Sequence, residues 1–184
     1  MKKCVDFYRY WGKDTITNKK FKKLSLEIKF VYYFRLLHNF ELDGRSKKKI
    51  FYKYYAKKYR KIKEKTHIQI SYSTNIGEGF YIGHAGHITI NSDAVLGKNI
   101  NIAAGCTIGR ENRGKRKGCP NIGDNVWIGT NSVIVGNIKI GDDVLIAPLT
   151  FVNFDVPSHS IVIGNPAKVI YKENATKDYI NNIV

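Results

Sequence analysis

Between Ile70 and Pro157 an aliphatic residue returns every six positions: Ile70, Ile76 and Ile82, then Ile90, Leu96, Ile102 and Ile108, then Ile122, Ile128, Ile134, Ile140, Ile146 and Val152. Neither the helical period nor the alternation of a strand gives this spacing. A period of six makes each aliphatic residue the anchor of a short strand that turns a corner and hands over to the next flat face. Three hexapeptides then complete one triangular coil of a parallel β-helix. Positions four after the anchors are mostly small or branched (Ala94, Ile100, Cys106, Val126, Ser132, Ile138, Val144, Thr150, Val156), as a narrow prism interior requires. Glycine follows several anchors, as at Gly77, Gly83, Gly123, Gly129 and Gly141, where corners leave little room for a side chain.

The repeat is interrupted twice. Between Ile82 and Ile90 the step is eight residues, and the added pair falls in Gly83-His84-Ala85-Gly86-His87-Ile88-Thr89. Between Ile108 and Ile122 it is fourteen, so an additional eight residues leave the prism within 110–120. Packing requires neither, and loops on a rigid scaffold are the usual home of binding and catalytic groups.

Ahead of the repeat the pattern is helical. Leu26, Phe30, Tyr33, Leu37 and Phe40, with a second row at Leu24, Ile28 and Val31, predict one amphipathic helix from Lys19 to about Phe40. Leu42-Asp43-Gly44-Arg45 breaks it, and Ser46 can cap a second helix with Phe51, Tyr55, Tyr59 and Ile62 on one face. Residues 1–18 read as a short helix or packed strap. After Val156 the segment to Ile170 closes the last coil, its prolines stopping further pairing; residues 171–184 read as a short polar helix or tail. The expected organisation is a basic N-terminal helical region (1–66), a β-helix domain (67–170) and a C-terminal tail (171–184), a mainly β protein.

Charge changes the picture at one end only. Residues 1–66 hold 21 Lys/Arg against 6 Asp/Glu, whereas 67–184 hold 10 against 9, so nearly all of the net +16 belongs to the helices. Three readings compete there: a solvated surface packed on the β-helix or a sister subunit, attraction to an anionic membrane surface, and nucleic-acid binding. No nucleic-acid motif accompanies the charge, so nucleic acid is not expected as a partner. Three cysteines at unrelated spacings suggest neither a disulfide framework nor a zinc knuckle. With no apolar run of membrane-span length, the reading is cytoplasmic, peripheral at the inner membrane face if the basic helices engage it.

The anchors, the eight-residue step carrying His84, the extruded loop at 110–120 and the closing Gly164-Asn165-Pro166-Ala167-Lys168 together resemble the hexapeptide-repeat acyltransferases. Within them they resemble the serine acetyltransferase-like branch, which includes capsular and exopolysaccharide O-acetyltransferases. The match covers about residues 67–172. It implies a left-handed β-helix, a homotrimer, and acetyl-CoA as co-substrate in a groove between neighbouring prisms. In serine acetyltransferases the matching segment reads Asp-His-Ala-Thr-Gly-Ile, with the His as catalytic base, so that role falls on His84. The family's serine-contacting Asp is Gly83 here, its base-orienting Asp aligns with Gln69, and a second functional His in the loop aligns with Cys119. These departures remove groups that would recognise an amino acid, and the stretch from Tyr81 to Asn91 looks closer to the polysaccharide-modifying members. His87, Gln69, Asn91, Arg113 and Cys119 are therefore the expected acceptor-side residues, and Gly129, Ala147, Asn165 and Lys168 the expected coenzyme-side residues.

Acetyl transfer from a thioester to a hydroxyl needs the hydroxyl proton removed during attack and a proton for the departing thiolate, and one neutral imidazole can do both in turn. Gly-rich corners offer backbone N–H groups for the oxyanion. The leading expectation is an acetyl-CoA-dependent O-acetyltransferase acting on a sugar of a surface polysaccharide or its precursor. The alternatives are a nucleotide-sugar N-acetyltransferase, a serine O-acetyltransferase, and a non-enzymatic trimeric scaffold that binds membrane. A metal-dependent hydratase is disfavoured: His84 and His87 share one corner, His67 and His159 sit at the ends of the prism, and no metal is expected.

Overall fold

The computed structural model describes residues 2–42 and 50–184. Three parallel sheets form the faces of a β-helical prism. The first face stacks Gln69–Ile70, Thr89–Ile90, Thr107–Gly109, Val133–Val135 and Phe151–Val152; the second stacks Asn75–Ile76, Val95–Leu96, Asn121–Ile122 and Lys139–Ile140. The third stacks Tyr81–Ile82, Asn101–Ile102, Val126–Ile128, Val144–Ile146 and Ser160–Ile163. Anchors pair with anchors, for example Ile82 with Ile102 and Ile128 with Ile146. Every anchor is buried, and so is every position four after an anchor from Ala94 onward except Asn112, where the chain leaves the prism, so the period of six is the period of the core.

The corners are built less from glycine than the sequence suggests. His67 takes positive φ where the helix Ile50–Thr66 leads into the first face, His87, Gly105, Asn131 and Leu149 do so between the third and first faces, and Gly79, Asn99, Asn125, Asp143 and His159 between the second and third. Asn and Asp tolerate this conformation better than other side chains, because a short polar side chain can bond locally.

The helices close the N-terminal end of the prism. A short antiparallel pair, Lys2–Lys3 with Thr15–Ile16, flanks α1 (Phe7–Trp11). The single helix expected from Lys19 is two: α2 (Asn18–Lys22), capped by the Thr17 hydroxyl accepting from the Lys20 N–H, and α3 (Leu26–Leu42). Ser25 accepts the first bond of α3 from Lys29 N–H, a cap position that serine favours and that ends the preceding turn. The break at Asp43-Gly44-Arg45 and the Ser46 cap lie outside the described residues. In α4 (Ile50–Thr66) the buried side is Tyr52, Tyr59, Ile62 and Thr66, and Phe51, expected on that side, is exposed. Tyr52 takes the inward position because its hydroxyl reaches Tyr72 at 2.9 Å while Tyr59 donates to Ile70 C=O at 2.9 Å.

One charged pair fastens the cap. Arg35, midway along α3, donates to both oxygens of fully buried Asp6 at 2.6 and 3.1 Å and to the carbonyls of Ile76 and Gly77; Asp6 also accepts the Phe80 N–H at 2.8 Å. At the other end, pairing does not stop at the prolines. Lys168–Tyr171 turns back antiparallel on Ser160–Ile163, because Gly164-Asn165-Pro166-Ala167 makes a hairpin turn. The tail beyond is a strap of turns along the third face: Ala175 and Thr176 bond Asp143, Tyr179 packs on Trp127, and Val184 N–H reaches Asn99.

Candidate active site

The edge between the third and first faces carries the first interruption. Its frame is rigid: Gly83 N–H donates to Ile102 C=O at 3.3 Å, Gly86 C=O accepts from Gly105 N–H at 2.9 Å, and Ile88 C=O accepts from Gln69 N–H at 2.6 Å. With both ends tied into the ladder, the added pair is pushed outward and His84 and Ala85 stand exposed in the single chain. Tyr10 supports the approach from outside. Its hydroxyl accepts from Ile82 N–H at 3.2 Å and its ring lies 4.5 Å from that of Tyr81; burial pushes its phenol far up. Among the described residues no side chain orients His84 by a hydrogen bond.

Register places four small residues in a column on this edge. Gly83, Ala103, Gly129 and Ala147 each follow an anchor of the third face, and those anchors pair in succession. Gly129 is demanded by the stacking itself, since a Cβ there would meet Pro148 N at 2.6 Å. Ala147 is buried and packs with Leu145 and tail residue Ala175. The N–H groups of Gly83 and Gly129 are consumed by the ladder, so the oxyanion donors expected from glycine corners are not these two. At the C-terminal end of the same edge the hairpin turn places Asn165 and Lys168, both exposed, with Gly164 N–H on the Thr150 hydroxyl at 3.1 Å.

The remaining expected residues gather on a different edge, between the first and second faces. There the loop at 110–120 is a small hairpin with a bridge between Glu111 and Gly118. Arg110 pairs with Asp93 at 2.7 Å, and Arg116 C=O accepts from Asn137 N–H at 2.9 Å. Arg113 is exposed in that hairpin, its N–H on the Glu111 carboxylate. Cys119 is half-buried at its base, and desolvation and then Asp93 push its thiol up despite Arg110, so it stays neutral. Asn91 spends its side-chain oxygen on Asp93 N–H at 3.0 Å, in a local turn on this edge. Gln69 stands exposed on the first face, paired in register with Thr89 and close to the His84 edge.

One chain thus brings His84, His87, Gly129, Ala147, Asn165 and Lys168 to one edge, with Gln69 beside it, and carries Asn91, Arg113 and Cys119 to the next. One member of the first cluster escaped sequence reasoning. His67 is not an isolated end residue: its ring stacks on that of His87 at 5.0 Å and 9°. The signal was there, because the two are twenty residues apart, one coil plus the added pair. Among the described residues no group of three metal-ligating side chains converges.

Comparison with known proteins sharpens this geometry. Residues 120–153 match the bacterial transferase hexapeptide (six repeats) family model. The chain is 35% identical over 127 residues to serine acetyltransferase 4 of Arabidopsis thaliana, covering 63% of this chain and 36% of that protein. It is 37% identical over 108 residues to a serine acetyltransferase of Staphylococcus epidermidis, covering 59% of this chain and 51% of that one. Among solved structures, the Neisseria gonorrhoeae serine acetyltransferase in complex with serine superposes with a TM-score of 0.69 at 31% identity, over 90% of this chain and 66% of that one. The chain therefore spans about a third to a half of the length of these curated relatives.

Proposed function

From the premise that the chain is a member of the hexapeptide-repeat acyltransferase family, we propose that it transfers an acetyl group from acetyl-CoA to a hydroxyl, with His84 as general base. The observation that carries this reading is the alignment of exposed His84 with the small-residue column and the Asn165–Lys168 turn on one edge. A thin coenzyme arm can run along such a column, with Lys168 meeting phosphate through a charge-assisted contact. His84 takes the hydroxyl proton as the oxygen bonds to the thioester carbon; the C–S bond breaks and the imidazolium returns the proton to the sulfur. The acceptor-side residues Asn91, Arg113 and Cys119 come from the other edge, which in one chain faces away from His84, while His87 and Gln69 stand beside the base. The complete site then requires a neighbouring chain, and a homotrimer is the proposed assembly.

Serine is the acceptor that the relatives' names bring forward, and it suits them better than the polysaccharide sugar expected from the sequence. A sugar hydroxyl is the second reading, favoured by specific residues. A Cβ at Gly83 would meet only Tyr81 Cε1, at 3.6 Å, so the backbone does not require glycine there and its choice leaves room. Gln69 and neutral Cys119 offer no charge for an ammonium group.

The test is release of coenzyme A from acetyl-CoA with L-serine beside a panel of sugars. His84→Ala is expected to lower kcat by about 10²–10⁴ for the accepted substrate, with coenzyme affinity and assembly kept. His87→Ala is expected to cost less. A fully active His84→Ala enzyme would end this mechanism, and turnover with serine alone would remove the sugar reading.

A further inference from the structure

The corner that carries His84 has a ring on each flank. Where the third face enters it stands Tyr81, next to the inward anchor Ile82 and half-buried on the outside of the prism. Its backbone is locked by the Tyr81 N–H on Ile100 C=O at 2.9 Å. Two residues of α1 hold its ring: Tyr10 packs on it at 4.5 Å, and the Arg9 guanidinium carbon lies 5.8 Å from its centre. Arg9 is itself buried and fixed, donating to the carbonyls of Gly79 at 2.8 Å and Asn181 at 2.9 Å. The Tyr81 hydroxyl, in contrast, is open to solvent and has no partner among the described residues. A ring that served only to pack would not need it.

The edge of that ring borders the space beside the base. A Cβ at Gly83 would lie 3.6 Å from Tyr81 Cε1, the carbon next to the one that bears the hydroxyl, and would meet nothing else within 4 Å. The gap at Gly83 therefore adjoins His84 along the chain and the free phenol across it. On the far flank the exposed His87 ring stacks on exposed His67 at 5.0 Å. Both take positive φ, at 41° and 55°, a backbone conformation that side chains adopt at a cost and that marks sites held for function. Residues 81–88, His67 and Gln69 include no carboxylate. We propose that Tyr81 is a specificity-determining residue: its hydroxyl bonds a ring hydroxyl of an uncharged pyranose seated in the space at Gly83, with the hydroxyl to be acetylated at His84. The inference rests on acetyl transfer with His84 as base, and it chooses the sugar among the acceptors of that reaction. A pyranose offers several hydroxyls to uncharged donors and acceptors. The ammonium of serine would be taken out of water at this corner with no carboxylate to receive it.

Titration of the full chain with the methyl glycosides of glucose, galactose and mannose and with L-serine, followed by saturation-transfer NMR, reads this subsite without requiring turnover. At least one glycoside is expected to bind, and to bind His84→Ala about as tightly. Tyr81→Phe removes a hydroxyl on which no other group of the described chain depends. It is expected to weaken that glycoside about 2–10-fold, the usual worth of one hydrogen bond between uncharged groups, with coenzyme A affinity unchanged. Gly83→Asp fills the space, and since its Cβ makes a single ordinary contact the fold is kept; glycoside binding should fall at least about ten-fold, as for any ligand whose seat is occupied. Unchanged glycoside binding by Tyr81→Phe overturns the inference, as does a parent chain that binds none of the glycosides. An altered sedimentation coefficient in Tyr81→Phe overturns it too, since the hydroxyl would then serve an interface between copies. Glycoside binding that depends on Tyr81, in a parent chain that releases no coenzyme A, upholds the subsite and removes the acetyl-transfer reading instead.

Discussion

Asp6 and Arg35 decide whether the helices and the prism are one body. Asp6 is fully buried, and both its oxygens are occupied by Arg35 and the Phe80 N–H. The remaining Arg35 donors end on the carbonyls of Ile76 and Gly77 at the first coil. Removing one partner of such a pair leaves an uncompensated buried charge, so Asp6→Ala or Arg35→Met is expected to lower unfolding free energy by about 3–5 kcal/mol. Urea unfolding followed by circular dichroism measures it, and a loss below about 1 kcal/mol would show that water reaches the pair. Replacing both by apolar residues together is expected to cost less than either alone. Nothing in the sequence announced the pair: among the many charges of the N-terminal third, Asp6 and Arg35 look like surface residues. The aromatic-dense α4 was misread for a related reason. Phe51 and Tyr52 fit the helical period almost equally well, and only the hydroxyl's partner on Tyr72 separates them.

At the scale of elements, what could be read was whatever repeats. Anchors, inward positions and the two interruptions followed from counting, because two side chains in every six, the anchor and the one four after it, must enter the prism. The C-terminal strap could not be read that way. It has no period, and its irregular backbone is held by individual side chains, chiefly Asp143. Burial pushes that carboxyl up, but bonds from the Thr176 N–H and hydroxyl, from His159 and from the Ala175 N–H outweigh it and hold its pKa below the ordinary 3.8. A depressed folded pKa means that the anchoring is present above the unfolded value and is lost as pH falls through the folded one. Acidification below pH 3.8 is therefore expected to free the strap. Trp127, whose ring centroid is 4.9 Å from that of Tyr179, reports it. In a Trp11→Phe background its emission should shift over that acid range, and Asp143→Asn should show the shifted emission already at neutral pH. An emission unchanged by that substitution would mean that apolar contacts at Ala175 and Ile180 hold the strap without the carboxylate.

For the whole molecule, the division of the candidate site between two edges is the consequential fact. The order of the interruptions held this information, since one precedes a first-face strand and the other follows one. The sequence alone puts the site between subunits and leaves open whether the 110–120 loop comes from the same or the next chain; the two edges favour the next. A three-sided prism presents adjacent edges in different directions, so His84 and the 110–120 hairpin meet across chains if a cyclic assembly sets one edge against its neighbour's next edge. Sedimentation is expected to show a trimer, and subunit mixing tests the shared site directly. Homogeneous His84→Ala and a chain lacking residues 111–118 should each be nearly inactive. Co-refolded at equal amounts, a His84 edge from the loop-deleted chain meets a loop from the His84→Ala chain at about one interface in four, so roughly a quarter of wild-type activity should return. Recovery requires both contributions at one interface. Mixed trimers as inactive as their parents would place the base and the loop in the same subunit's site, and a fully active loop deletion would remove the hairpin from the chemistry.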